Sequence, residues 1–415
     1  VNGITTALTA AVLLGTVCGL LGTFVVVRRM ALTGDMLSHA VLPGIVLGLA
    51  LDPTRNPLLV LLCAVAAGVA GSWSMAAILR HTRLKADAAL ALVLSVFFAL
   101  GIALISRLQP PGVHAFLYGQ IAAIDHSDLW LLLAVCAAAL VIMPLMFRVL
   151  CVVSFDASFS RLIGLRVNSI EVVFYLLLSI VIVISMQAVG VVLVTALLVT
   201  PAAAARFYTN TLHKMTVISC GLGALGGVLG VWVSARHEGM PTGPLMALAV
   251  TGLFVIALLF GKRRGLLPTH LRKRREAVRI LGEDVLKKLW HSEELAGRQT
   301  SLTEAEFKQS LPGSIQSAFR KLRDTSHIGI TNFKVSLTPS GRKRAAELVR
   351  AHRLWERYLT ERGGFKPDHV HDPAERAEHW LDDEGRRKLE ENLGHPTVDP
   401  HGSPIPAVPE SEVPR

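Results

Sequence analysis

The stretch Arg28-Arg29-Met30-Ala31-Leu32-Thr33-Gly34-Asp35-Met36-Leu37-Ser38-His39-Ala40-Val41-Leu42-Pro43-Gly44 decides how the rest of the chain is read. Residues 4–27 before it are an unbroken apolar run, and apolar residues continue after it to 51. Two arginines thus separate two segments, each long enough to cross a hydrocarbon core of ~30 Å, which takes roughly 20 residues. The second segment carries a carboxylate. An Asp at the centre of a membrane helix costs about 2.5–3.5 kcal/mol, so Asp35 needs a reason to be there. His39 is four residues on and shares its helix face. One carboxylate oxygen and one imidazole nitrogen suit a divalent first-row cation. The same spacing also fits an Asp at the start of a helix, hydrogen-bonded to a His near the headgroups.

Further runs of this kind stand at 57–79, 88–107, 128–150, 171–188, 190–208, 215–236 and 243–261, which predicts nine spans. The sixth and seventh form one apolar stretch divided at Met186-Gln187-Ala188-Val189-Gly190, which also reads as one broken helix plus a re-entrant piece. Five loops carry most of the Lys and Arg: Arg28-Arg29, then Arg80, Arg83 and Lys85, then Arg148, Arg161 and Arg166, then Arg206 and Lys214, then Lys262-Arg263-Arg264. With nine spans and the N-terminus outside, all five fall on one side, which the positive-inside rule makes the cytoplasm. The polar C-terminal part is then cytoplasmic too. Charge density marks the boundary. Residues 1–261 hold 13 Lys/Arg and 8 Asp/Glu, and residues 262–415 hold the other 29 and 23. The chain is 52% hydrophobic and 18% charged, against about a quarter charged in an average soluble protein. Disorder, collagen and a secreted disulfide scaffold are excluded. The five cysteines all lie in or beside the apolar runs, without a CxxC, and read as small core residues. Residues 4–27 are too long for a cleavable signal and lack a cleavage pattern. No GxxxxGK[ST] occurs, so the chain has no P-loop and is expected to bind no nucleotide and to be no enzyme.

The segment Phe155-Asp156-Ala157-Ser158-Phe159-Ser160-Arg161-Leu162-Ile163-Gly164-Leu165 is amphipathic and ends on a glycine C-cap signal, predicting a short surface helix. The 28–44 stretch, together with Leu197-Leu198-Val199-Thr200-Pro201-Ala202-Ala203-Ala204-Ala205-Arg206, resembles the signatures of the ABC-type manganese/zinc/iron permease family, and Phe155–Leu165 is similar to that family's coupling helix. The resemblance covers residues 1–261. It implies a homodimeric pore, a cytoplasmic ABC ATPase subunit as partner and an extracytoplasmic metal-binding protein. It places Asp35 and His39 on the metal path and gives Phe155, Asp156, Phe159, Arg161, Leu162 and Gly164 the role of ATPase coupling. Later spans should complete the ligand set. His237-Glu238 is one candidate pair for it, and Asn210 with His213 another, although Asn210 stands where an Asp is expected.

Residues 262–276 form a basic juxtamembrane linker suited to anionic membrane lipid. Beyond it, Ala277–Leu295 has helical apolar spacing, Thr303-Glu304-Ala305-Glu306 caps a short helix, and Ser314–Leu322 is a second helix. Ile328–Ile330 and Phe333–Leu337 follow as a ribbon, so residues 277–338 read as a winged helix. Gln316, Ser317, Arg320 and Lys321 are its candidate DNA-facing residues. Residues 339–406 open with a helix to about Thr360, and the last residues, 407–415, are a tail. The densest set of metal-type ligands in the chain lies here. His352 and Glu356 stand at i, i+4, and His371, Glu375, Glu378 and His379 fall on one helix face. Imidazoles and carboxylates without a thiol make a borderline-to-hard site. A solvated charged helix with incidental histidines has the same spacing.

Leu337–Arg342, His352-Arg353-Leu354-Trp355-Glu356, Val370–His379 and Gly394-His395-Pro396…His401-Gly402-Ser403-Pro404-Ile405-Pro406 resemble the diphtheria-toxin-repressor/manganese-repressor family over roughly 277–406. That resemblance implies metal ligation by His352, Glu356, His371, Glu375, Glu378 and His379, with Asp284 from the preceding helix. Glu375 stands where manganese-sensing members carry Glu and iron-sensing members Cys. Lys287 departs from the manganese pattern, which has an acid there and two metals. The expected fold is an all-α polytopic membrane protein of eight or nine transmembrane helices, followed by a cytoplasmic winged helix and a helical dimerisation and metal-binding domain. The expected role is a divalent metal permease (Mn, alternatively Fe or Zn) of a bacterial-type plasma (inner) membrane, with a metal sensor attached. A membrane-tethered, metal-dependent transcriptional regulator is the alternative, and whether the winged helix binds DNA stays open at this stage.

Overall fold

The structure is a computed structural model that describes residues 2–52, 56–113, 116, 126–237, 240–310, 315–332, 334–381 and 383–407. It divides into two compact units, Val1–Thr269 and His270–Arg415.

The first unit is a helical bundle. Its elements are α1 (Asn2–Val27), α2 (Leu32–Ala40), α3 (Leu42–Leu51), α4 (Pro57–His81), α5 (Ala86–Leu108), α6 (His126–Phe155), α7 (Ala157–Leu162), α8 (Val167–Val189), α9 (Val191–Ala205), α10 (Leu212–Arg236) and α11 (Thr242–Phe260). Among the described residues, eight helical stretches are long and apolar enough to cross a membrane, with α2 and α3 counting together as Leu32–Leu51. The ninth expected span, 190–208, does not reach that length. It is the 15-residue α9, about 22 Å at 1.5 Å per residue. The reason is local: Gly190 takes φ 95°, a left-handed value that ends α8 and starts α9 within one residue.

Helix order in space follows from small residues. A Cβ on Gly15 would sit 2.2 Å from the Gly223 carbonyl oxygen, and one on Gly227 would sit 2.6 Å from that of Ala11, so α1 and α10 run antiparallel with backbones in contact. The basic loops gather at one end of the bundle. Arg28 donates to Ser154 Oγ (2.9 Å) and pairs with Glu171 (3.9 Å). Arg80 and Arg161 line one cavity of about 540 Å³ with Met30 and Glu171. The Arg263 amide donates to the Phe207 carbonyl (3.1 Å), and Val26 and Val27 pack on Ala202 and Ala205. All five cysteines are free, and Cys18 and Cys136 are buried in the bundle core.

The second unit begins along α12 (Leu266–Ala296), a 31-residue helix. The basic stretch expected as a linker is therefore helical from Leu266 onward, because Leu266-Leu267-Pro268 starts a helix with nothing downstream to break it. The elements β1 (Leu302–Thr303), α13 (Glu304–Ser310), α14 (Ile315–Asp324), β2 (Ile328–Thr331) and β3 (Lys334–Leu337) follow, with an antiparallel sheet in the order β1-β3-β2. Glu306 reaches back to accept from the Thr303 amide (2.6 Å), the reciprocal half of a capping box. Val285, Leu286, Leu289, Phe307, Ile315, Phe319 and Val335 form the core of this part. Then come α15 (Pro339–Glu361), α16 (His371–Glu378) and α17 (Asp383–Asn392). Thr338 caps α15 by accepting from the Gly341 amide (3.1 Å). A second small core joins Leu354, Leu389 and Ile405.

Candidate metal centre

Two sets of ligands occur, one in each unit. In the membrane unit, α2 carries Asp35 in its first turn and His39 one turn later. Asp35 is thus not at a helix centre as the sequence suggested. The chain breaks after Arg28-Arg29 and re-enters at Leu32, so the carboxylate sits where the α2 N-terminal dipole favours negative charge. Asp35 Oδ1 lies 3.7 Å from His39 Nε2. The His39 ring meets Phe98 edge-on at 4.8 Å, and its Nδ1 is buried without a hydrogen-bond partner. Among the described residues no third His, Cys, Asp or Glu joins the pair. His237 is exposed at the end of α10, and Glu238 lies outside the described residues. Asn210 and His213 are exposed near the start of α10.

The segment after α6 forms the short helix the sequence predicts. Asp156 caps α7 by accepting from the Phe159 amide (2.8 Å). Gly164, at φ 83°, ends it: the Leu165 amide bonds the Ser160 carbonyl (3.0 Å) and the Gly164 amide that of Arg161 (3.1 Å), a Schellman closure. Phe155, Phe159, Leu162 and Ile163 all point to solvent, with Leu162 85% exposed.

The second unit assembles its ligands in two groups, His352–Glu356–His371 and Asp284–Glu378–His379, each with ligand atoms within 4.8 Å of one another. Helical spacing placed His371, Glu375, Glu378 and His379 on one face. In space that face is shared out: His371 turns to Glu356, while Glu378 and His379 turn to α12. Glu378 stands between the groups, one oxygen on His352 Nδ1 and the other 3.7 Å from His379 Nε2. His352 Nε2 approaches Glu356 Oε1 at 3.0 Å, and His379 Nε2 approaches Asp284 Oδ1 at 3.5 Å. Glu375 is more than half exposed, 3.6 Å from Lys287 Nζ, which also donates to Glu378 (2.7 Å). Lys287 thus holds the Glu378 carboxylate of the second group.

Two partners were missed by sequence reasoning. Glu283, buried, accepts from His379 Nδ1 at 2.8 Å and is held in turn by Arg344 (2.9 Å). That orients Nε2 inward, as a carboxylate behind a metal-ligating His does. The only signal was adjacency to Asp284. His401 stacks on His371 (4.6 Å, 10°), and its place in the tail motif gave no hint of a ligand neighbour.

Electrostatics match a site built for positive charge. Burial alone would lower the His352 imidazole, but its contacts with Glu356 and Glu378 outweigh this and hold it at about 9. Burial likewise opposes the protonated His379, and Asp284 and Glu283 raise it to about 9. Burial pushes Glu356 and Glu378 upward, yet His352, with Lys287 beside Glu378, brings both below the usual carboxylate range. A divalent cation can take over the role of those two protons. The donor sets, two nitrogens and one oxygen in the first group and one nitrogen and two oxygens in the second, suit Mn(II), Fe(II) or Zn(II). Glu356 Oε1 and Asp284 Oδ1 are both buried with no aligned hydrogen-bond donor, leaving lone pairs free for an ion.

Gln316, Ser317, Arg320 and Lys321 are all exposed on α14, whose opposite face (Ile315, Ala318, Phe319, Leu322) is buried.

Fold and site together define a polytopic membrane protein joined to a metal-repressor-like domain. Residues 1–261 match the ABC 3 transport family, and the chain belongs to that family. Residues 338–407 match the iron dependent repressor, metal binding and dimerisation domain. The chain is 32% identical over 360 residues to the manganese transport system membrane protein MntC of Bacillus subtilis, covering 85% of this chain and 83% of that protein. It is 30% identical over 414 residues to a probable metal transport system membrane protein of Chlamydia trachomatis, covering 93% and 92%. Among solved structures it resembles PsaBC from Streptococcus pneumoniae in complex with Fab, with a TM-score of 0.59, 31% identity and coverage of 66% of this chain and 96% of that one.

Proposed function

We propose that the chain is the permease subunit of an ATP-driven importer of a divalent metal, Mn(II) in the first place and Fe(II) or Zn(II) as alternatives, and that its C-terminal unit senses the same metal in the cytoplasm. The observation that carries this reading is a pair of His/carboxylate groups, each with a buried Glu (Glu356, Glu378), in a chain of the ABC 3 transport family. The manganese transport protein that the chain resembles supports Mn(II) as cargo. An external metal-binding protein delivers the ion, and Asp35 and His39 receive it on the path. Two permease copies form the pore. A separate ATPase subunit docks on the exposed apolar face of α7 and drives opening. The clustering of the basic loops at one end supports a cytoplasmic position for that face and for the second unit. Metal bound at the C-terminal groups changes the shape of the sensor and biases the transport cycle.

The test is Mn(II) uptake by the Asp35→Ala/His39→Ala variant in membranes containing the ATPase and the binding protein. A loss of at least about tenfold is expected, since ligand removal typically costs 10- to 100-fold or more. Uptake at the wild-type rate sinks the transport-path assignment.

The second reading is a membrane-tethered regulator that binds DNA, favoured by the exposure of Gln316, Ser317, Arg320 and Lys321 on one helix. Sequence-selective, salt-dependent DNA binding by the full chain in detergent, lost in Arg320→Ala, would favour it over the sensor reading.

A further inference from the structure

Lys287 sits among groups that otherwise suit a cation. It lies on α12 one turn beyond Asp284, its side chain is 13% exposed, and its ammonium contacts Glu378 at 2.7 Å and Glu375 at 3.6 Å. Two carboxylates, one of them the Glu378 that completes the group with Asp284 and His379, therefore hold a positive charge that is covalently part of the chain. An ammonium offers three donors and no lone pair, so it cannot serve as a metal ligand while protonated. A divalent ion held by Asp284, Glu378 and His379 would share the Glu378 carboxylate with it, and like charges at that range repel. The first group differs. His352, Glu356 and His371 face one another with no Lys or Arg ion-paired to any of the three among the described residues, and Glu356 Oε1, on a side chain only 2% exposed, has no aligned donor. Glu378 spans both, one oxygen on His352 and the other on Lys287.

We propose that Lys287 is a built-in substitute for a metal ion in the Asp284–Glu378–His379 group, so that the C-terminal unit takes up one divalent ion per chain, at His352–Glu356–His371, where a two-metal centre would otherwise form. The inference rests on the sensor reading above and deepens it: the second cation of the centre is permanent, and only the first reports metal. Lys287 holds Glu375 and Glu378 whether or not metal is bound, which keeps the Glu378 carboxylate in place for the ion in the first group.

The experiment uses the full chain in detergent, in an Asp35→Ala/His39→Ala background that silences the membrane pair, with Mn(II) alone as probe. Bound metal is counted after equilibrium dialysis, and electron paramagnetic resonance reports whether two Mn(II) ions are spin-coupled. The parent is expected to hold one Mn(II) per chain with an uncoupled signal. Lys287→Glu is expected to hold two, with coupling through Glu378. Lys287→Met keeps the packing of the stem if the added acid unfolds the lobe; it too should gain a second ion, about tenfold weaker than in Lys287→Glu because one ligand charge is missing. A parent that binds two ions, or Lys287→Glu and Lys287→Met chains that both stay at one, overturns the proposal while leaving metal binding by the centre intact. A parent that binds none overturns it together with the sensor reading.

Discussion

The two units handle the same ligand chemistry in opposite ways. In the membrane unit, Asp35 and His39 stand as a pair with a 3.7 Å gap and no third ligand among the described residues. In the C-terminal unit, every candidate ligand is braced by a neighbour of opposite charge or by a stacked ring. Glu283 orients His379, Glu378 joins both groups, and His371 lies against His401. Under the function proposed above, the difference fits what each site would have to do. A site on a transport path must release its ion, and an incomplete, loosely supported ligand set keeps binding weak. A sensor must hold its ion at a set concentration, and bracing lowers the reorganisation needed to bind it.

The comparison breaks first if the bracing is removed. Arg353 is buried, hydrogen-bonded to Glu294 (2.8 Å) and to the Pro404 carbonyl, with Asp399 at 3.7 Å. It ties α15 to α12 and to the tail that carries His401. Arg353→Ala leaves Asp399 buried without its cation and should destabilise the C-terminal unit by about 3–5 kcal/mol, read by chemical denaturation. A loss below about 1 kcal/mol would mean the bracing is not structural. Next, Glu378→Ala removes the carboxylate that buttresses His352 Nδ1 and should weaken Mn(II) binding about 10- to 100-fold in calorimetry, as loss of an outer partner does. Glu283→Gln keeps the shape but loses the charge behind His379; a drop of about tenfold or less is expected because Lys287 already limits that group. On the membrane side, Leu162→Asp puts a charge on the exposed apolar face of α7 and should cut ATP-driven uptake by about tenfold with unchanged thermal stability.

The smallest effect is a pH dependence. His352 and His379 are raised from 6.5 to about 9 in the folded chain. Their contribution to stability is therefore complete below pH 6.5 and is lost as pH rises through about 9. Metal-free chain should lose on the order of 1 kcal/mol per group over that window, after allowing for screening. Saturating Mn(II) should reverse the His352 part of the trend, because the ion competes with that proton. A metal-loaded chain that follows the same downward course would separate these imidazoles from metal binding.

Much of this was readable from the residues in order. Hydropathy located the long spans because each must carry its own apolar run. Glu378 and His379 stood out at helical spacing, whereas Asp284 entered only through the resemblance to metal repressors. The division at 186–190 was legible too, but the shortness of α9 was not, since hydropathy runs on past Ala205, where the helix ends. Nor was the division of the ligands into two groups. That depends on α12 approaching α16 across about ninety residues of sequence, which places Glu283 behind His379 and Lys287 between the carboxylates. Spacing along one helix reports a shared face, and only the neighbouring helix decides how that face is divided.

The central claim is that one chain both carries the metal and senses it. It is tested most directly by the initial rate of Mn(II) uptake into proteoliposomes holding the complete transporter, with internal Mn(II) clamped at a series of concentrations. Wild type and Glu356→Ala/Glu378→Ala are compared, with the C-terminal unit facing the lumen. The expected result is a wild-type rate that shifts as internal Mn(II) rises and a variant rate that stays flat. The same response in both would show that the C-terminal centre has no part in transport.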